Sequence, residues 1–335
     1  MSTQTATLAL DYVKTIGVTT NNMGRGFINP YDVALSKDGR IFILNHCDSA
    51  RRALIRVGIM NWDEDYLGEF GNGAGSGDGQ FILPVAMAFD SQERLYITDE
   101  QNHRITIFDL AGSFLSKWGV LGSGDGELNG PSGITIDADD NLYVVDQNNN
   151  RVQKFTADGE YIMQWGEAGS GPGQFNLPWG VALDSPGNVY VADWRNDRIQ
   201  KFTPDGRFLL KFGASGQGDG EFNRPTGVAV DKDGTIYVTD FKNDRLQVFD
   251  ADGSFITKLA GEATLSKWGR ERVELDPVMM KGRARAQGLE EREKPFQGPI
   301  AVDVDDENRV FVVECARHRL QVFRKQSAIF YGGPV

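Results

Sequence analysis

Seven side chains of this 335-residue sequence combine reactive chemistry with positions where it is out of place: Asp32, Asn45, His46, Cys47, Asp303, Glu314 and Cys315. Carboxylates and an imidazole brought together can relay protons, which makes Asp32, His46, Asp303 and Glu314 candidate catalytic groups. Carboxylate and amide oxygens can also hold a hard cation, so Asp32, Asn45, Asp303 and Glu314 form a candidate metal set, with a divalent metal such as calcium as the implied cofactor. A second group pairs flat apolar rings with cations: Tyr31, Trp179, Trp194 with Arg195, and Phe241 with Lys242, to which Arg317 adds a further charge. Rings beside cations suit peptides or ring-shaped ligands. Other chemistries are poorly served. There is no Gly-x-Ser-x-Gly, His-Glu-x-x-His or Cys-x-x-Cys, and three histidines leave little for a nucleophilic triad. Glycine-rich stretches such as "GSGDGELN" lack the Gly-Lys-Ser/Thr of a phosphate-binding loop and read as turns.

These side chains stand out because most of the sequence repeats. One phrase recurs as "FINPYDVAL", "FILPVAMAF", "LNGPSGITI", "FNLPWGVAL", "FNRPTGVAV" and "FQGPIAVDV". Its prolines, Pro30, Pro84, Pro131, Pro178, Pro225 and Pro299, lie 54, 47, 47, 47 and 74 residues apart. A period near 47 fits a propeller blade of four short strands. In the fifth unit the strands are "TGVAV", "IYVTD", "RLQVFD" and "FITKLA", punctuated by Asp-Gly turns. The sixth unit stops after three strands, and "LDYVKTIGV" at 10–18 has the pattern of a fourth. The expected fold is therefore all-β: one propeller domain over 1–335 with six blades, its N-terminal strand completing the C-terminal blade so that no sheet edge is left open.

The series Gly-Val-Ala-Val-Asp, Tyr-Val-x-Asp, Asn-x-Arg-Ile/Leu-x-x-Phe and Asp-Gly-x-Phe resembles NHL repeats, over nearly the whole chain except 261–295 and the ends. The resemblance implies a six-bladed propeller but no single function, because propellers host enzymes, RNA binders and scaffolds. Peptidyl-hydroxyglycine amidating lyases, which are NHL propellers, place zinc-binding histidines directly after the phrase proline. Here those positions are Tyr31, Val85, Ser132, Trp179, Thr226 and Ile300, so that zinc site is not expected.

Within the repeat, Asp99, Asp146, Asp193 and Asp240 end second strands and are followed by Asn102, Asn149, Asn196 and Asn243, then Arg104, Arg151, Arg198 and Arg245. Local ion pairs and turn hydrogen bonds explain them, as they do His103 and His318. Blades 1 and 6 break the pattern. Asp32 stands where other units have Ala86, Gly133, Gly180, Gly227 and Ala301, and Asp303 stands where others have Ala34, Ala88, Thr135, Ala182 and Ala229. Asn45 and Glu314 replace the strand-ending Asp. Closure makes these blades neighbours, so the expectation is one sector at the channel mouth. It is either a metal or substrate pocket, or a repaired seam with Arg51, Arg52 or Arg317 neutralising the acids.

The last irregularity is the insertion 261–297, whose "SKWGRERVEL" and "MMKGRARAQGLEERE" have helical composition bounded by Pro277 and Pro295. It is expected to cover the unusual sector as a lid, to be a decorated surface loop, or to mediate homo-oligomer contacts. A net charge of −12 disfavours nucleic acid and anionic membranes as partners. With no apparent signal peptide or spanning segment, a cytoplasmic location is expected. Two functions follow: a scaffold binding a protein or small molecule through its loop-decorated face, or a metal-assisted lyase or hydrolase between blades 6 and 1.

Overall fold

The computed structural model describes residues 8–46 and 54–326. Six four-stranded antiparallel sheets stand around a central channel. Blade 3 shows the unit: Pro131–Ile136 innermost, then Leu142–Asp146, Arg151–Phe155 and Tyr161–Trp165 outermost. Second strands are buried, Leu142–Asp146 along its whole length, as a sheet covered on both faces requires. Outer strands alternate between half-buried and exposed residues, because only one face meets a neighbour. Blade 6 closes as the sequence requires. Leu10–Ile16 pairs with Arg319–Lys325, Leu10 opposite Lys325 and Ile16 opposite Leu320.

The core lies between blades. Tyr96, Tyr143, Tyr190 and Tyr237 repeat at one position and are almost fully buried. Each buried ring of this kind contributes on the order of 1.5–3 kcal/mol. Among the described residues no helix is long and apolar enough to cross a membrane.

Three polar devices recur from blade to blade. The residue ending each second strand accepts a hydrogen bond from the backbone N–H 17 residues earlier: Asp146 from Asn129, Asp193 from Asn176, Asp240 from Asn223, Glu314 from Gln297 and Asn45 from Ile28. The following Arg pairs with that acid, at 2.7 Å for Arg151, Arg198 and Arg245 and 2.6 Å for Arg319. Its remaining donors reach carbonyls of the glycine-rich turn, as Arg198 does to Ser170, Gly171 and Gln174. Arg104 uses only such carbonyls, and Asp99 takes Asn102 instead. The third device crosses between blades. A residue in the left-handed conformation just before the Arg accepts the N–H preceding the next blade's proline. Asn150 takes Leu177, Asp197 takes Arg224, Asp244 takes Gly298 and His103 takes Gly130.

The insertion forms helices α1 Lys267–Leu275, α2 Pro277–Arg285 and α3 Leu289–Glu293. Pro277 begins a helix rather than stopping one. It occupies the first turn, where its missing N–H removes nothing, and Asp276 caps the N–H groups of Val278 and Met279. α1 is docked on the rim between blades 6 and 1. Trp268 is buried edge-on against Phe27, and its indole N–H donates to the Glu64 carbonyl at 2.6 Å. No residue of 261–297 lines the channel cavity, and α1 buttresses the rim.

Candidate functional site

The innermost strands leave a channel cavity of about 320 Å³. Two residues after each proline, the repeat keeps Gly or Ala because blades approach closely there. A Cβ on Gly180 would lie 2.2 Å from the Thr226 carbonyl oxygen, and one on Gly133 would lie 2.6 Å from that of Trp179. Asp32 occupies this position in blade 1, and its Oδ2 accepts the Met87 N–H of blade 2 at 2.7 Å. Asp303 lies on the innermost strand of blade 6, Pro299–Val304, and its Oδ1 accepts the N–H of Val304 at 2.8 Å.

Both side chains are half-buried and line the channel. Burial pushes the Asp32 carboxyl up to about 8, against hydrogen bonds from Met87 and Val33, and the nearby Asp303 adds to the rise. Burial likewise raises Asp303 to about 7. Among the described residues neither acid has an ion-pair partner. Each can therefore hold or release a proton near neutrality, as a proton-transfer group must.

Two rings of side chains surround the mouth. One is the residue after each proline, including Tyr31 and Trp179; the other follows each second strand and comprises His46, Glu100, Gln147, Trp194, Phe241 and Cys315. On the blade 1 side Tyr31 and His46 stack with centroids 4.1 Å apart and planes at 13°. Burial lowers the His46 pKa and raises that of Tyr31 to about 12, helped by Cys315 and Glu100. On the opposite side Trp179 and Trp194 lie 6.2 Å apart, and Arg195 and Arg224 both sit over the Trp194 ring, at 5.3 and 5.0 Å. Lys242 lies 4.9 Å over Phe241. Sequence reasoning missed Glu100, Gln147 and Arg224. The first two share the alignment column of His46 and Trp194; Arg224 directly precedes a phrase proline.

The sequence-based set is only partly brought together. Asp32 and Asp303 share the channel, and Tyr31 and His46 share the mouth with Cys315. Asn45 and Glu314 do not join them. Asn45 lies in its blade's turn network, between the Ile28 N–H and the Ile43 carbonyl. Glu314 is consumed by Arg319, Gln321 and the Gln297 N–H, the structural role of a repeat Asp with a longer stem. Among the described residues no three His, Cys, Asp or Glu side chains are placed to hold a metal ion. Arg317 does not neutralise these acids; its Nη2 donates to the Arg292 carbonyl in the insertion. The Cys315 thiol donates to the Gly298 carbonyl at 3.4 Å, and burial raises its pKa to about 11, far from a reactive thiolate. Cys47, Arg51 and Arg52 lie outside the described residues.

The irregular seam is also not the expected one. Blades 6 and 1 are joined by the regular device, with His318 accepting from Asn29. Between blades 1 and 2 the Leu83 N–H turns instead to Asp99. There Asp32 bridges to Met87, and the His46 Nδ1 lies 3.1 Å from the Pro84 carbonyl oxygen.

Repeat, closure and channel together define an NHL-repeat six-bladed β-propeller. The NHL repeat family model matches residues 128–155 and 296–323, and a family described as a 6-bladed beta-propeller matches 180–265. No curated protein sequence matches the chain. Among solved structures it is similar to a protein of unknown function from Bacteroides thetaiotaomicron, with TM-score 0.64 and 19% identity over 95% of this chain and 76% of that one. A streptogramin B lyase gives 0.59 and 15% over 95% and 98%, and a gluconolactonase from Xanthomonas campestris 0.58 and 15% over 95% and 90%. At these identities the likeness is one of fold.

Proposed function

We propose that this propeller binds a small organic molecule at its channel mouth. One observation carries the reading. The mouth rings place Tyr31, His46, Trp179, Trp194 and Phe241 around the opening of a channel that is lined mostly by small and aliphatic side chains and holds two acids. Rings around a concavity supply contact area at little conformational cost, and a few polar groups set orientation. Thermal-shift screening of a small-molecule library tests it. Hits should lose their stabilisation in Trp194→Ala and Tyr31→Ala. Hits that stabilise wild type and both variants equally would place binding elsewhere.

A second reading, a lyase or hydrolase, is favoured by Asp32. A carboxyl with a pKa near 8 in a channel can donate or accept a proton at neutral pH. Structural neighbours named as a streptogramin B lyase and a gluconolactonase use the same fold. The metal-assisted form of this reading lacks a coordination set among the described residues. Turnover of lactone or cyclic-ester substrates that survives Asp32→Asn unchanged would exclude this role for Asp32.

A further inference from the structure

Resting on the mouth as a ligand site, the geometry points to a subsite for an oxyanion between blades 4 and 5, made by Arg195 and Arg224 over Trp194. The ligand class is a carboxylate or phosphate attached to a planar body that lies on Trp194 and Trp179. The two guanidinium carbons lie 5.3 and 5.0 Å from one ring centroid, so they are no more than about 10 Å apart. Like charges held this close repel, and among the described residues neither has a carboxylate within ion-pair distance. Asp197, which precedes the blade 4 Arg198, is committed through Oδ1 to the backbone N–H of Arg224 at 2.8 Å. In a chain of net charge −12, two unneutralised arginines sharing a ring are an electrostatic exception. Planar guanidinium forks match the two oxygens of a carboxylate or phosphate, and the indole offers the adjoining face.

Backbone geometry fixes the pair. Arg224 has φ +60, a conformation filled by Gly130 and Gly298 at the same place in blades 3 and 6. The hydrogen bond from its N–H to Asp197 and the following Pro225 hold it there. Arg195 is fixed by its own N–H to the Asn176 carbonyl at 3.0 Å.

Arg224→Gly is the decisive variant, because it restores a residue the repeat already uses and relieves the left-handed strain. Tryptophan fluorescence of the full chain is titrated with benzoate, phenyl phosphate and neutral benzyl alcohol at low and high salt. Benzoate or phenyl phosphate should bind at least about tenfold more tightly than benzyl alcohol at low salt. That preference, the ratio of anion to benzyl alcohol affinity, should fall to about one in Arg224→Gly and in Arg195→Ala. Which anion wins separates a carboxylate from a phosphate ligand. Equal binding of neutral and anionic probes overturns the subsite but leaves the mouth as a ligand site. An anion preference that survives in both variants, or no response to any probe, also overturns it. Loss of library hits in Trp194→Ala still decides the wider reading separately.

Discussion

The backbone N–H of Asn29 donates at 2.8 Å to Nδ1 of His318, 289 residues further along the chain. This one contact gives the closing seam the same chemistry as the seams inside the chain, where Asn150, Asp197 and Asp244 accept the corresponding N–H. An accepting atom is what the position needs, and the residue type is free to vary.

His318→Asn should therefore be nearly neutral, since Asn150 shows that the amide oxygen serves. His318→Leu should destabilise by about 1–2 kcal/mol, because it leaves the Asn29 N–H unpaired and keeps a side chain in the left-handed region. Urea unfolding midpoints check this. Equal stability of the Leu and Asn variants would show that the closure does not depend on the contact.

Arg56 tests how the first blade compensates for Asn45. The amide cannot neutralise Arg56, and the charge comes instead from Glu69 on the outer strand, at 2.7 Å with the Arg56 side chain 1% exposed. Glu69→Gln should cost about 3–5 kcal/mol by leaving a buried cation unpaired. Adding Asn45→Asp should recover a large part of that loss, as a double-mutant cycle in unfolding free energy would reveal.

Asp32 and Asp303 set a pH dependence. Their pKa values are raised in the folded state from 3.8 to about 8 and about 7. The folded protein thus holds protons that the unfolded chain has released, and stability falls as pH rises from about 4 to about 8, then levels. Asp303→Asn and Asp32→Asn should each flatten this slope and gain stability at pH 8 relative to pH 5. Unfolding midpoints at the two pH values provide the measurement; an unchanged slope would mean the acids are charged throughout.

Trypsin should enter the insertion at Lys281 or Arg285 before Lys267 or Arg270. α2 has no buried residue, with Val278 79% exposed, whereas α1 is anchored by Trp268 and capped by Ser266. In Trp268→Ala the early cuts should spread into α1. First cleavage at Lys267 in the wild type would contradict the buttress.

Blade count and closure were legible in the sequence because a proline-anchored period survives even where side chains vary. Five of the six prolines begin their innermost strands, Pro178 lies three residues before Val181–Leu183, and 10–18 supplies the missing strand. The site was legible only where the signal was local. Asp32 and Asp303 departed from columns that stacking keeps small, and the channel contains both. Asn45 and Glu314 departed from their column equally, yet each still does the column's work of accepting an N–H 17 residues back. A substitution that preserves acceptor chemistry looks like a break in sequence and not in space. The irregular seam escaped notice because the missing inter-blade acceptor of blade 1 falls next to a lengthened loop, where alignment loses its register. The docking of the insertion was not legible, because nothing local to Trp268 says that its partners are Phe27 and Glu64.

Pairing Leu10 with Lys325 also sets an order of events during synthesis. The strand made first must wait for one made 315 residues later, about 15–60 s at ribosomal speed. Until then its alternating apolar residues and open backbone edge stay unsatisfied. Five blades can stack as they emerge, but the ring becomes one cooperative object only at the end. A nascent propeller of this design is an aggregation hazard for most of its synthesis time, and any factor that shields residues 10–16 would act on yield without touching the stability of the finished protein.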